Sequence, residues 1–189
     1  MKSEPHVYPW EQLKEDKSTH WDGVRNYQAR NIMRDQMKEG DLVLFYHSNC
    51  KPPHVAGIAR VCREAYPDFT AQDSSSKYFD PKASPDNPRW MMVDIEPVCD
   101  LDPIGLPKLK SNGDLDGMPL LQRGQRLSVQ PVSAEHFRIV CKMGNLSEIP
   151  HDGHVLGGRS FSIGMKCRSS QPRFPKASSI PGRAARFRA

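Results

Sequence analysis

The chain has 189 residues, 37% hydrophobic and 26% charged, with a formal net charge of +5. That length predicts one domain of roughly 140–150 residues plus an extension, large enough to bury a core without disulfides or a metal. No run of 18 apolar residues occurs, which argues against a membrane span, and the opening Met1-Lys2-Ser3-Glu4-Pro5 lacks the apolar stretch of a signal peptide.

Residues 4–8 read as the start of an extended segment. Residues 10–16 (WEQLKED) place apolar side chains at i and i+3, a short helix. Residues 26–39 read as a longer helix, with Ala29, Ile32, Met33 and Met37 near helical spacing and Gly40 as its stop. Residues 41–46 (DLVLFY) have the length and β-rich content of a buried strand, broken by Lys51-Pro52-Pro53. Residues 54–64 form a second strand, in which Gly57 marks a bulge or a close approach of another group.

Residues 66–89, rich in Pro, Asp and Ser, read as a long loop of the kind that often carries function. Residues 90–98 form a third strand and 101–121 a small helix with loops. Residues 126–132 (RLSVQPV) alternate like a strand, and Ser133 is the N-cap of a last short helix. Strands without a βαβ period and helices at the edges predict an α+β domain with a mixed or mostly antiparallel sheet, curled toward a barrel.

Charge divides the chain. Residues 1–143 carry 19 Lys and Arg against 20 Asp and Glu, a net of −1, whereas 144–189 carry 8 against 2, a net of +6. The basic balance therefore belongs to a Gly/Ser/Pro/Arg-rich tail that reads as disordered, since it offers little apolar surface to offset its ordering entropy. Such a tail either adds nonspecific phosphate affinity or is a solvated extension. Binding of nucleic acid by residues 1–143 would have to come from a local patch.

The densest patch of candidate residues is 21–31 (WDGVRNYQARN). Its aromatics can stack on bases, and its arginines can grip phosphate in a fork. Arg25 and Arg30 flank Asn26 at a helix start, a natural anion site, unless they pair with Asp22 and Asp35. Trp21, at an Asp-Gly turn, and Trp90, at a strand start, are each a core plug or a stacking platform. Tyr46-His47-Ser48-Asn49 ends a buried strand, where polar groups can line a pocket or simply cap a turn. Arg123-Gly124-Gln125-Arg126 is a basic turn suited to phosphate or to solvent.

Five cysteines without CxxC spacing fit a reducing compartment. His47, Cys50 and His54, and the His151/His154 pair, supply no four-ligand zinc pattern, so no metal and no cofactor are expected. Common catalytic motifs are absent. Pairing of His47 with Asp22 or Asp94 leaves an enzyme acting on a nucleotide or modified base as an alternative. A protein-interaction module is a third reading.

The motifs 1–5 (MKSEP), 21–31 (WDGVRNYQARN), 45–51 (FYHSNCK), 56–59 (AGIA), 64–68 (EAYPD), 78–81 with 87–90, and 126–132 occur in one order over three quarters of the chain. In them the sequence resembles the EVE-domain family. The resemblance implies a PUA-like fold, a curled mixed sheet or pseudo-barrel with flanking helices, similar to the YTH readers of methylated adenine. It also implies non-catalytic recognition of a modified, for example methylated, base in DNA or RNA by a monomer. The pocket would be lined by Trp21, Arg25, Asn26, Tyr27 and Arg30, by Tyr46, Ser48 and Asn49, and by Trp90, with Arg126 toward phosphate. The implied partner is nucleic acid rather than membrane, in the cytoplasm of a bacterium or the nucleus of a eukaryote. The resemblance ends near Val140 and assigns nothing to residues 144–189.

Overall fold

A five-stranded mixed sheet organises the chain, seen in a computed structural model that describes residues 1–146, 148 and 149. The elements are β1 (Lys2–Ser3), α1 (Trp10–Asp16), β2 (Thr19–His20), α2 (Tyr27–Asp35), β3 (Leu42–His47), β4 (His54–Pro67), β5 (Met91–Gly105), α3 (Leu106–Lys110) and α4 (Ala134–Met143). The strand order is β1-β3-β4-β5-β2. The β1–β3 pair is parallel and the others antiparallel. Register shifts break the β4–β5 ladder at four places, each adding local twist and curl.

Side chains alternate across a strand, and β3 shows why all six of its residues are buried. Val43 and Phe45 enter one core with Trp10, Ala29, Ile32 and Met33 of α1 and α2. Leu42, Leu44 and Tyr46 enter a second core with Leu109 of α3 and Phe137 and Val140 of α4. The sheet is thus covered on both faces, which defines an α+β domain. Each large side chain so buried contributes about 1.5–3 kcal/mol.

Gly57 satisfies both readings of its glycine. The β3–β4 and β4–β5 registers shift beside it. A Cβ there would also lie 2.3 Å from Cζ2 of Trp10. The Trp10 indole N–H donates to Asp100 at 2.6 Å, so its ring is held over Gly57 from α1.

Several expectations from the sequence change. Residues 4–8 are not extended, because the amides of Val7 and Tyr8 both turn back to the Glu4 carbonyl. α2 stops at Asp35, and Asp41 accepts from the Lys38 amide to shape the turn before β3. Met37 is nevertheless buried. β4 and β5 run well past residues 64 and 98. Residues 126–132 form no strand. Their one backbone bond to β1 is Lys2 N–H to the Ser128 carbonyl, although Leu127 and Val129 still face the core. The Ser133 N-cap is present, accepting from the His136 amide. Leu146 and Ile149 pack on the second core. Ser147 and residues 150–189, the bulk of the tail expected to be disordered, lie outside the described residues.

Candidate nucleic-acid interface

The end of β3, the two-residue β1, α3 and the turn after residue 121 together enclose an open groove of about 360 Å³. That volume falls within the range of about 300–1,000 Å³ typical of ligand pockets. The parallel register sets Lys2 opposite Tyr46 and Ser3 opposite His47, so Lys2 and Tyr46 share a face. Ser48 locks the strand end, its amide and hydroxyl both donating to the Ser3 carbonyl at 2.8 and 3.2 Å. Asn49 follows at φ 54°, a left-handed conformation that asparagine tolerates. Burial, with a smaller contribution from Cys50, pushes the Tyr46 phenol up to about 12, so it stays protonated.

The groove is basic without acidic relief. Lys2, Lys110, Arg123 and Arg126 line it, and no Asp or Glu does. Among the described residues none of these four forms a salt bridge. The Lys2 ammonium donates to the Gln125 carbonyl at 3.1 Å, tying the turn to β1, and burial lowers its affinity for the proton. Amides of Gln122, Gln125 and Asn49 and the Ser48 hydroxyl also line it, and groups of this kind can donate to and accept from a base edge.

Four of the ten residues singled out from the sequence, Tyr46, Ser48, Asn49 and Arg126, therefore meet in one groove. The other six lie at α2 and its surroundings, on the opposite face of the sheet. Trp21 packs edge-on against Phe45, with centroids 5.7 Å apart, in the first core. Tyr46, the next residue in the strand, points into the second. The single pocket expected between the 21–31 run and the strand end is thus divided by the sheet itself.

Around α2 the polar groups are engaged within the fold. Arg25 donates from Nε and Nη2 to the Tyr78 carbonyl at 2.9 and 2.5 Å, and from Nη1 to Asp68 at 2.7 Å. Asp68 is 1% exposed. Burial would raise its carboxyl, but bonds from Thr70 and Arg25, with the Arg25 charge and the Gly23 amide, hold it below the usual range. Gly23, at φ 69°, must be glycine because a Cβ would lie 2.6 Å from the Tyr78 ring. The arginine thus pins the long loop to the WDG turn rather than standing free for phosphate.

Asn26 closes the helix start. Its side-chain oxygen accepts from the amides of Gln28 and Ala29 at 2.9 and 3.2 Å, so those N–H groups are not free for an anion. Arg30 donates to the Arg89 carbonyl at 2.7 Å and to Asn31. Tyr27 is 47% exposed and stacks on buried Trp90 at 4.8 Å and 24°. Trp90 in turn donates to Asp80 at 2.7 Å. Trp90 lies buried beneath Tyr27, which presents the one exposed ring of this group of six.

His47 does not meet either proposed acid. Its Nε2 accepts from the Trp10 amide at 3.2 Å, and its ring neighbours are Phe45 and His54. Asp94 instead accepts from the Tyr66 hydroxyl at 2.5 Å. Among the described residues no group of three His, Cys, Asp or Glu is placed to hold a metal, and no helix is long and apolar enough to cross a membrane. His151 and His154 lie outside the described residues.

Sequence reasoning missed Lys2, Lys110 and Gln122 as groove residues. Nothing local marks Lys2, because only its pairing with Tyr46 brings it to the groove. Arg123 was visible as part of a basic turn, but without a reason to prefer it over solvent.

Fold and groove together define a class: a small α+β domain whose curled sheet ends in an open basic groove. The EVE domain family profile matches residues 1–143, and the chain belongs to that family. An uncharacterized protein of Schizosaccharomyces pombe is 42% identical over 153 residues, covering 79% of this chain and 62% of the relative. A solved hypothetical protein from Leishmania major is 50% identical with a TM-score of 0.73, covering 77% of this chain and 92% of that one. The human THYN1 protein, solved in complex with 5-methylcytosine-containing DNA, is 42% identical with a TM-score of 0.71, covering 79% and 97%. The chain spans 62% and 57% of the lengths of the curated relatives from S. pombe and Danio rerio.

Proposed function

We propose that the domain is a non-catalytic nucleic-acid-binding module that recognises a modified base, such as a methylated one. The observation that carries this reading is a groove that joins a buried aromatic, unpaired cations and base-edge donors and acceptors. The complex of the related human THYN1 protein with 5-methylcytosine-containing DNA supports it.

The base lies against Tyr46. Ser48 and Asn49 address its edge, and Arg126 holds an adjoining phosphate. A base inside a duplex is covered by its neighbours, so it enters only if unpaired or extruded, at a cost of a few kcal/mol. Stacking returns about 1–3 kcal/mol per base. One buried methyl adds only about 0.8 kcal/mol, so discrimination between methylated and plain base is modest. Trp21, Arg25, Asn26, Tyr27, Arg30 and Trp90 brace the fold from the opposite face. By the name of its thymocyte nuclear relatives, a eukaryotic protein of this kind works in the nucleus.

The test is a binding panel of oligonucleotides that differ only in the modification of one central base. A preference for one modified base, reduced by Asn49→Ala, supports the reading. Equal affinity for all of them refutes it, as does turnover of the oligonucleotide that is lost in His47→Ala.

A further inference from the structure

Resting on that reading, we infer that Lys2, Lys110, Arg123 and Arg126 form a phosphate clamp, so that the groove takes one nucleotide of a single strand with its flanking phosphates.

The four cations come from three separate walls. Lys2 stands on β1 at the strand floor, Lys110 ends α3, and Arg123 and Arg126 lie in the turn. Converging positive charge with no carboxylate in the lining is costly unless an anion completes it. A solvated surface normally intersperses opposite charges, as this protein does elsewhere: Arg34 pairs with Asp35, Lys38 with Glu64 and Arg60 with Glu96. A phosphodiester supplies the missing anion in a form that arginine forks and lysine ammoniums both bind.

The groove also selects the strand. Its floor is the buried Tyr46, and the four cations line the same groove. An unpaired nucleotide can set its base on that floor with its phosphates at those cations. A stacked, paired nucleotide cannot do so until it is extruded. Phosphate contacts position the strand without reading sequence, so the clamp supplies affinity and the floor supplies discrimination. Arg25 and Arg30 are excluded from the clamp by their bonds to Tyr78, Asp68 and Arg89.

The experiment measures affinity of the full chain for a methylated oligonucleotide across a salt series, single-stranded and duplex. It uses the unaltered protein, Lys110→Gln, Arg126→Gln and the double variant. Both positions are exposed, so folding should survive, and circular dichroism checks it. The tail adds its own salt dependence equally to every variant, so only differences are read. Each substitution should reduce the slope of log K against log salt by about 0.7. The single strand should bind roughly a hundredfold tighter than the duplex. Arg34→Gln, removing a cation already paired with Asp35, should leave the slope in place. Unchanged slopes in the groove variants overturn the clamp, as does equal affinity for duplex and single strand. If slopes are unchanged but the methylated strand is still preferred, the clamp falls and the base-reading function stands. If the unaltered protein binds no oligonucleotide, both fall.

Discussion

Lys2 and Tyr46 stand directly opposite one another in the parallel pairing of β1 with β3, so an ammonium and a buried phenol share one wall of the groove. The pairing spans 44 positions of sequence and depends on a strand of two residues. It is held by backbone bonds on both sides: the Tyr46 amide to the Met1 carbonyl, and the Lys2 amide to the Ser128 carbonyl. The site is therefore made by chain topology rather than by any one motif.

Arg25 should act on stability and not on binding. Its partner Asp68 is fully buried, and removing one member of a buried ion pair costs about 3–5 kcal/mol. Because the Arg25 side chain is partly exposed, Arg25→Gln is expected near the lower end of that range. Urea unfolding checks the loss, and the oligonucleotide affinity of the folded fraction should be unaltered.

Asn26→Ala should cost about 1 kcal/mol through loss of the helix cap, since its carbonyl oxygen holds two first-turn amides. Were the helix start instead an anion site, this substitution would shift salt dependence. The expectation is a lower midpoint in urea with the salt slope intact.

Gly57→Ala should destabilise the domain by about 1–3 kcal/mol, the usual cost of forcing atoms into a packed core. The clash is with the Trp10 ring, so the two sites are coupled. In a Trp10→Ala background the same change should cost much less, a non-additivity read from a double-mutant cycle by urea unfolding.

Most of the secondary structure was legible, and the reasons are local. Asn26 and Ser133 mark their helices because capping is a contact between near neighbours. DLVLFY is a strand on composition alone. β5 runs to Gly105, past the residue 98 expected from the sequence, and its ladder accommodates Pro97 beside a register shift. The site was legible only in part. Tyr46, Ser48 and Asn49 stand together in one motif. The engagement of Arg25 could not be read, because Asp68 and Tyr78 lie 43 and 53 residues away. Sequence likewise could not show that Phe45 and Tyr46 direct Trp21 and the groove to opposite faces.

His47 sets an acid limit on stability. Burial first, then His54, lowers its pKa below 6.5, while Glu11 opposes weakly. The neutral ring is the form that accepts the Trp10 amide. The unfolded chain therefore binds the proton more readily, and stability rises with pH through this window. The contribution is complete above about pH 6.5 and is lost progressively below it. Asp68 and Asp100, held below 3.8, contribute a separate loss only in stronger acid. Urea unfolding at pH 7.5 and 5.5 should show a drop for the unaltered protein and a smaller one for His47→Gln. An equal drop in both assigns the effect elsewhere.

The central claim is that the groove beside Tyr46, and not the α2 face carrying Trp21 and Asn26, receives the base. Its most direct test is a titration of 15N-labelled protein with a single-stranded oligonucleotide carrying one 5-methylcytosine, followed through backbone amide shifts. The account predicts the largest shifts at Tyr46, Ser48, Asn49 and residues 122–126, with the Gln28 and Ala29 amides nearly still. Large shifts at Trp21 and the first turn of α2, with a silent groove, would contradict it.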